Sequence, residues 1–116
     1  DYAWFFFAGE LSYDEAALAA MVPKGRTAAE VAKALGRLVD TQIDALLDWR
    51  AETVEAALAA FGEDSGWPQK ETLMTVRVAL TGRSATPPLF ETAEVLGKEI
   101  CRRRLRRAAS ALGGQR

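Results

Sequence analysis

Histidine is absent from this sequence, and cysteine occurs once, at Cys101. Without an imidazole, the commonest general base and the commonest metal ligand are both missing. One thiol cannot close an internal disulfide, and one thiol without histidine does not make a zinc site. A lone cysteine fits a reducing compartment, where its ordinary role is that of a small core hydrophobe, so a cytoplasmic location is expected. No apolar run approaches the roughly 18 residues that a membrane span needs. The short aromatic run Trp4-Phe5-Phe6-Phe7 follows the acidic Asp1 rather than a basic segment, so it does not read as a signal peptide. It is expected either to pack on a neighbouring part of a longer protein or to cap this domain's own core. Glycine-rich phosphate loops of the P-loop or dinucleotide type are missing too. So are strand-like alternation, internal repeats and low-complexity tracts.

What is present is a core-forming composition: 116 residues, 49% of them hydrophobic, which suits one folded domain. The net charge of −1 conceals an asymmetry. Residues 1–64 carry 12 acidic and 5 basic side chains, whereas residues 65–116 carry 4 acidic and 10 basic ones. A positive field over one half suits a polyanion such as RNA. The alternative is a solvated surface whose acidic half simply faces water.

The apolar periodicity is helical throughout. Ser12-Tyr13-Asp14-Glu15 reads as a capping box that opens a helix through Met21, and Pro23 stops it. Thr27-Ala28-Ala29-Glu30 reads as a second box. After it, Val31, Leu35, Leu38, Val39, Ile43, Leu46 and Leu47 predict one apolar stripe. Asp48-Trp49-Arg50 breaks the pattern, and a helix over Ala51 to Phe61 follows, ended by Gly62 or Gly66. The next helix spans about Gln69 to Thr81, with Leu73, Val76 and Leu80 inward and Gly82 as its left-handed cap. Pro87 or Pro88 starts another, with Phe90, Ala93 and Leu96 on its inner face. Gly97 separates that helix from a last one, which buries Cys101, Leu105, Ala108 and Leu112 and exposes Arg102, Arg103, Arg106 and Arg107. Asp40, Asp44 and Asp48 recur at four-residue spacing and read as a solvated acidic face. Trp49 and Trp67 read as core edges.

The densest pattern is Arg77-Val78-Ala79-Leu80-Thr81-Gly82, then Thr86-Pro87-Pro88-Leu89-Phe90-Glu91, then Leu96-Gly97-Lys98-Glu99. An arginine near a helix end, beside a proline-stiffened loop, can read unstacked RNA bases: the guanidinium bonds base edges and apolar surface packs on the base plane. The competing roles for Arg77 are capping of helix-end carbonyls or pairing with Glu91 or Glu94. The string resembles the C-terminal anticodon-binding domain of bacterial glutamyl-tRNA synthetases, whose pattern runs R-x-A-L-T-G, [ST]-P-x-L-F-E, L-G-K-E and a final helix. The match is densest over Arg77 to Leu105, with a looser pattern back to about Thr27.

That resemblance implies an all-α fold, a compact bundle of about six helices of the class I synthetase anticodon-binding type. It implies that Arg77, Thr86, Pro87, Pro88 and Leu89 contact the first two anticodon bases of glutamate tRNA. Pro88 stands where the family often has glycine, and proline offers no N–H. Arg83, Arg102, Arg103, Arg106 and Arg107 are candidates for tRNA phosphates. The H-I-G-H and K-M-S-K-S signatures of class I synthetases are absent. The implied activity is therefore anticodon recognition for a glutamate–tRNA ligase, with ATP and magnesium bound elsewhere in the parent and no cofactor or metal in this segment. Residues 1–26 are expected to border an upstream domain, 27–112 to form the helical domain, and 113–116 to be a disordered tail. Two rival readings remain at this point. The acidic helices from Glu30 to Asp64 could dock a protein such as a tRNA-dependent amidotransferase, or the chain could be a helical regulator that binds duplex nucleic acid.

Overall fold

The structure, a computed structural model, describes residues 13–83 and 88–113. The Trp4–Phe7 run, Ser12, Thr86, Pro87 and the last three residues of the tail lie outside the described residues. The elements are α1 (Glu15–Met21), α2 (Ala28–Leu38), a π-helical turn (Val39–Ile43), α3 (Ala51–Ser65), α4 (Gln69–Thr81), α5 (Leu89–Leu96) and α6 (Lys98–Gly113). Among the described residues there is no strand, and the fold is the six-helix, all-α arrangement expected. Gly113, expected in the tail, is the last residue of α6.

The helix starts follow from side chains that satisfy first-turn N–H groups. Asp14, rather than Ser12, caps α1: its carboxylate accepts from Ala17 N at 2.8 Å. Thr27 and Glu30 form the expected reciprocal box on α2. The start of α3 is served from another element, because Glu94 Oε1 on α5 accepts from Ala51 N at 2.7 Å. Glu94 is thus a capping group and not the arginine partner that the sequence suggested.

Helices α2 and α6 form the most extensive pair, and α4 lies against α1, α3 and α6. Val31, Leu35 and Leu38 of α2 and Cys101, Leu105, Ala108 and Leu112 of α6 meet in one core with Leu58, Phe61, Val76, Val78 and Leu80. Residue 26 is not a packing boundary. Ala17 and Met21 of α1 are buried in that same core, and buried Thr75 donates to the Met21 carbonyl at 2.9 Å.

The apolar stripe predicted through Leu47 stops early. The helix ends in the π turn, with Asp44 N donating to Val39 O, and residues 44–50 are not helical. Ile43 is still buried, but Leu47 is 98% exposed. Asp40, Asp44 and Asp48 are exposed, as expected, and two of them also form ion pairs with α6: Asp44 accepts from Arg102 and Asp40 from Arg106, both at 2.7 Å. Lys98, the first residue of α6, donates to Leu46 O at 2.6 Å and closes the segment after the turn.

Candidate nucleic-acid interface

Helix α4 ends as its sequence dictates. Gly82 takes φ +75° and ψ 8°, and its N–H donates to Val78 O at 2.7 Å. That left-handed conformation suits glycine, and it throws the chain sharply off the helix axis toward Arg83. Thr81 is fully buried. Its hydroxyl donates to Arg77 O at 2.7 Å and accepts from Arg83 N at 3.1 Å. One threonine therefore ties the last helical turn to the first residue beyond the Gly82 cap. Arg83 is exposed at the mouth of the loop.

Arg77 is half-buried one turn back from that end. Its Nε is sealed from water and has no hydrogen-bond partner, which is true of no other described side-chain nitrogen or oxygen atom. Neither competing role for Arg77 is realised, since Glu94 serves α3 and no described carboxylate pairs with the guanidinium. A buried donor without an acceptor costs about 1–3 kcal/mol, so the site is one where an incoming acceptor is worth more than usual.

Across the loop, Pro88 is exposed and serves as the residue before α5, its carbonyl accepting from Thr92 N at 3.0 Å. The sequence put proline inside the first turn; it stands one place earlier. Leu89, expected among the base contacts, is 3% exposed and belongs to the core. Its side chain anchors α5 and does not lie on the surface. Phe90 is half-buried and packed on the same core. Arg77 thus lies in the last turns of α4, Arg83 just beyond its Gly82 cap and exposed Pro88 immediately before α5, and Leu89 is turned inward.

The arginines of α6 divide into two sets. Arg102 and Arg106 face the π turn and are held by Asp44 and Asp40, and the hydrogen bond and charge of Asp44 raise the pKa of Arg102 further. Arg103 and Arg107 are exposed. The positive charge of Arg107 acts on Tyr13, whose hydroxyl sits at the carbonyl end of α4.

Comparison with known proteins agrees with this picture. A family model described as "Anticodon binding domain" matches residues 1–109. This chain belongs to the anticodon-binding-domain family. A glutamate–tRNA ligase of Herpetosiphon aurantiacus is 37% identical over 108 residues, which is 93% of this chain and 21% of that protein. One from Roseiflexus castenholzii is 39% identical over 108 residues, covering 93% of this chain and 20% of its own length. One from Frankia casuarinae is 41% identical over 110 residues, with 95% and 22% covered. The anticodon-binding domain seen here thus spans about a fifth of the length of the curated relatives it matches.

Two members of this domain's polar framework are not evident from sequence motifs. Arg104 is 5% exposed, and its Nη1 donates to Leu80 O at 2.8 Å. Tyr13 shares its hydroxyl hydrogen between Ala79 O and Arg104 O, the latter at 3.1 Å. Burial pushes the Tyr13 phenol up to about 12 and lowers the pKa of Arg104. A signal for Arg104 did exist: it lies three residues after Cys101 and four before Ala108, on the buried stripe of α6.

Proposed function

We propose that this domain reads the anticodon loop of glutamate tRNA as the C-terminal part of a cytoplasmic glutamate–tRNA ligase. The observation that carries the reading is the unpartnered Nε of Arg77, one helical turn before the end of α4. Its guanidinium would bond the edge of one of the first two anticodon bases. Residues of the 83–89 segment, Thr86 and Pro87 among them, would flank that base, with Leu89 supporting the loop from within. Selectivity then follows from unpaired groups: a wrong base leaves a buried donor unsatisfied. Arg83, Arg103 and Arg107 would hold neighbouring phosphates, and Arg102 and Arg106 would do so on exchanging Asp44 and Asp40 for phosphate.

The contribution of this chain is binding. Among the described residues no three His, Cys, Asp or Glu side chains come together as metal ligands do. ATP and magnesium would act in another part of the parent ligase. The protein-docking alternative loses much of its surface, because Asp40, Asp44 and Asp48 are engaged by Arg106, Arg102 and Arg50.

The test is a titration with the anticodon stem-loop of glutamate tRNA, repeated with each anticodon base changed. Affinity that falls when the first or second base is swapped is the expected result. Equal, salt-sensitive affinity for every loop would refute base reading by this surface.

A further inference from the structure

Four successive carbonyls near the end of α4, those of residues 77–80, have identified partners, and two of these come from other elements. Arg77 O is bonded by the Thr81 hydroxyl and Val78 O by Gly82 N, both local. Ala79 O is bonded by Tyr13, which precedes α1, and Leu80 O by Arg104 of α6. Ala79 and Leu80 are both buried, so these carbonyls depend on partners from the protein, and Tyr13 and Arg104 supply them. Placing a guanidinium in the core costs desolvation that an apolar side chain of similar length would avoid. What the arrangement adds is geometry. Arg104 holds the negative end of α4 from one side and Tyr13 from another, and the Tyr13 hydroxyl also reaches the Arg104 carbonyl and so ties the two anchors together. Arg77 and Arg83 flank the bonded carbonyls of Ala79 and Leu80 in the chain, so both extend from the turn that is held.

We infer that Arg104, with Tyr13, is a positioning residue for base discrimination: it fixes the height and rotation of the α4 end from which Arg77 meets the base. The inference rests on the anticodon-reading function proposed above. Reading a base edge depends on placing a donor to within a fraction of an ångström, and supporting hydrogen bonds behind the contact residue provide that precision. Arg104 itself touches no RNA in this arrangement. Its effect should therefore appear in the ratio of affinities for right and wrong loops and not in the electrostatic grip.

The experiment compares the 116-residue wild-type chain with Arg104→Met, Arg104→Lys and Tyr13→Phe, each checked for fold by circular dichroism and assayed well below its Tm. Affinity is measured for the glutamate anticodon stem-loop and for loops changed at the first or second base, over a range of salt. In Arg104→Met the cognate-to-swapped ratio is expected to fall about tenfold, as the loss of one well-placed hydrogen bond implies, with an unchanged salt slope. Arg104→Lys, which keeps a donor and the charge, should recover part of the ratio. Tyr13→Phe should lie between wild type and Arg104→Met. Should Arg104→Met not fold, the other two variants decide by the same ratio. Folded variants with a lowered Tm and a wild-type ratio would overturn the inference and make Arg104 a purely structural group. A wild-type chain with no base preference would instead remove the anticodon-reading function, and this inference with it.

Discussion

Arg77 pairs a stability cost with a binding role, and the two separate on mutation. Arg77→Ala removes the orphaned Nε together with the base contact. Binding of the cognate loop should weaken by about 1–3 kcal/mol, while Tm should not fall, because the folded protein loses an unsatisfied donor. Parallel titration and thermal melts check both halves. Cys101 and Tyr13 give a second prediction. Burial pushes both the thiol and the phenol up to about 12. Their folded pKa values exceed the unfolded ones, so the stability they contribute is complete below pH 9 and is lost as pH rises from there toward 12. Urea midpoints should be level across neutral pH and decline above pH 9. Tyr13→Phe and Cys101→Ala should each flatten that decline. At neutral pH, Cys101 should resist thiol reagents until the protein unfolds, because it is both inaccessible and protonated.

At the scale of elements, the joint between α5 and α6 is set by Gly97, with φ +88° and ψ 157°. A side chain is strained there whatever space surrounds it, and Gly97→Ala should cost about 1–3 kcal/mol, read from denaturant midpoints. The sequence placed this joint, the Gly82 cap and the Thr27 box correctly, because each depends on residue chemistry within a few positions. It did not show the π turn. No capping or breaking residue marks its end, and the stripe from Val31 to Leu47 looks unbroken although the helix stops at Ile43 and Leu47 faces water. Leu47→Gln should accordingly change stability by less than about 0.5 kcal/mol, whereas Leu38→Ala, immediately before the π turn, should cost about 2–5 kcal/mol. Comparable losses for the two would contradict an end of the apolar stripe at the π turn.

Across the whole molecule, the two charge blocks of the sequence meet rather than face apart. The acidic π turn lies against the basic α6, and Asp40 and Asp44 neutralise Arg106 and Arg102. These pairs are partly exposed, so each is worth at most about 1 kcal/mol to stability. Their larger effect is to neutralise Arg102 and Arg106, while Arg103 stays exposed on α6. Arg103 forms no ion pair or hydrogen bond with a described residue. Arg103→Ala should lower the dependence of log affinity on log salt by about 0.7–0.9 and leave base preference intact. Binding isotherms over a series of salt concentrations measure this, and an unaltered slope would exclude a phosphate contact at Arg103.

The helical class, most caps, the core stripe of α6 and the candidacy of Arg77 were legible in the sequence alone. They follow from local propensity, from periodicity and from a motif contained in one short stretch. Tertiary structure alone decided that Leu89 is buried in the core, that Asp40 and Asp44 pair with α6, and that Arg104 and Tyr13 hold the carbonyl end of α4. The polar contacts among those outcomes join residues 24 to 91 positions apart. A buried polar group takes whichever partner the packing brings within about 3 Å, and packing is a property of all the helices at once.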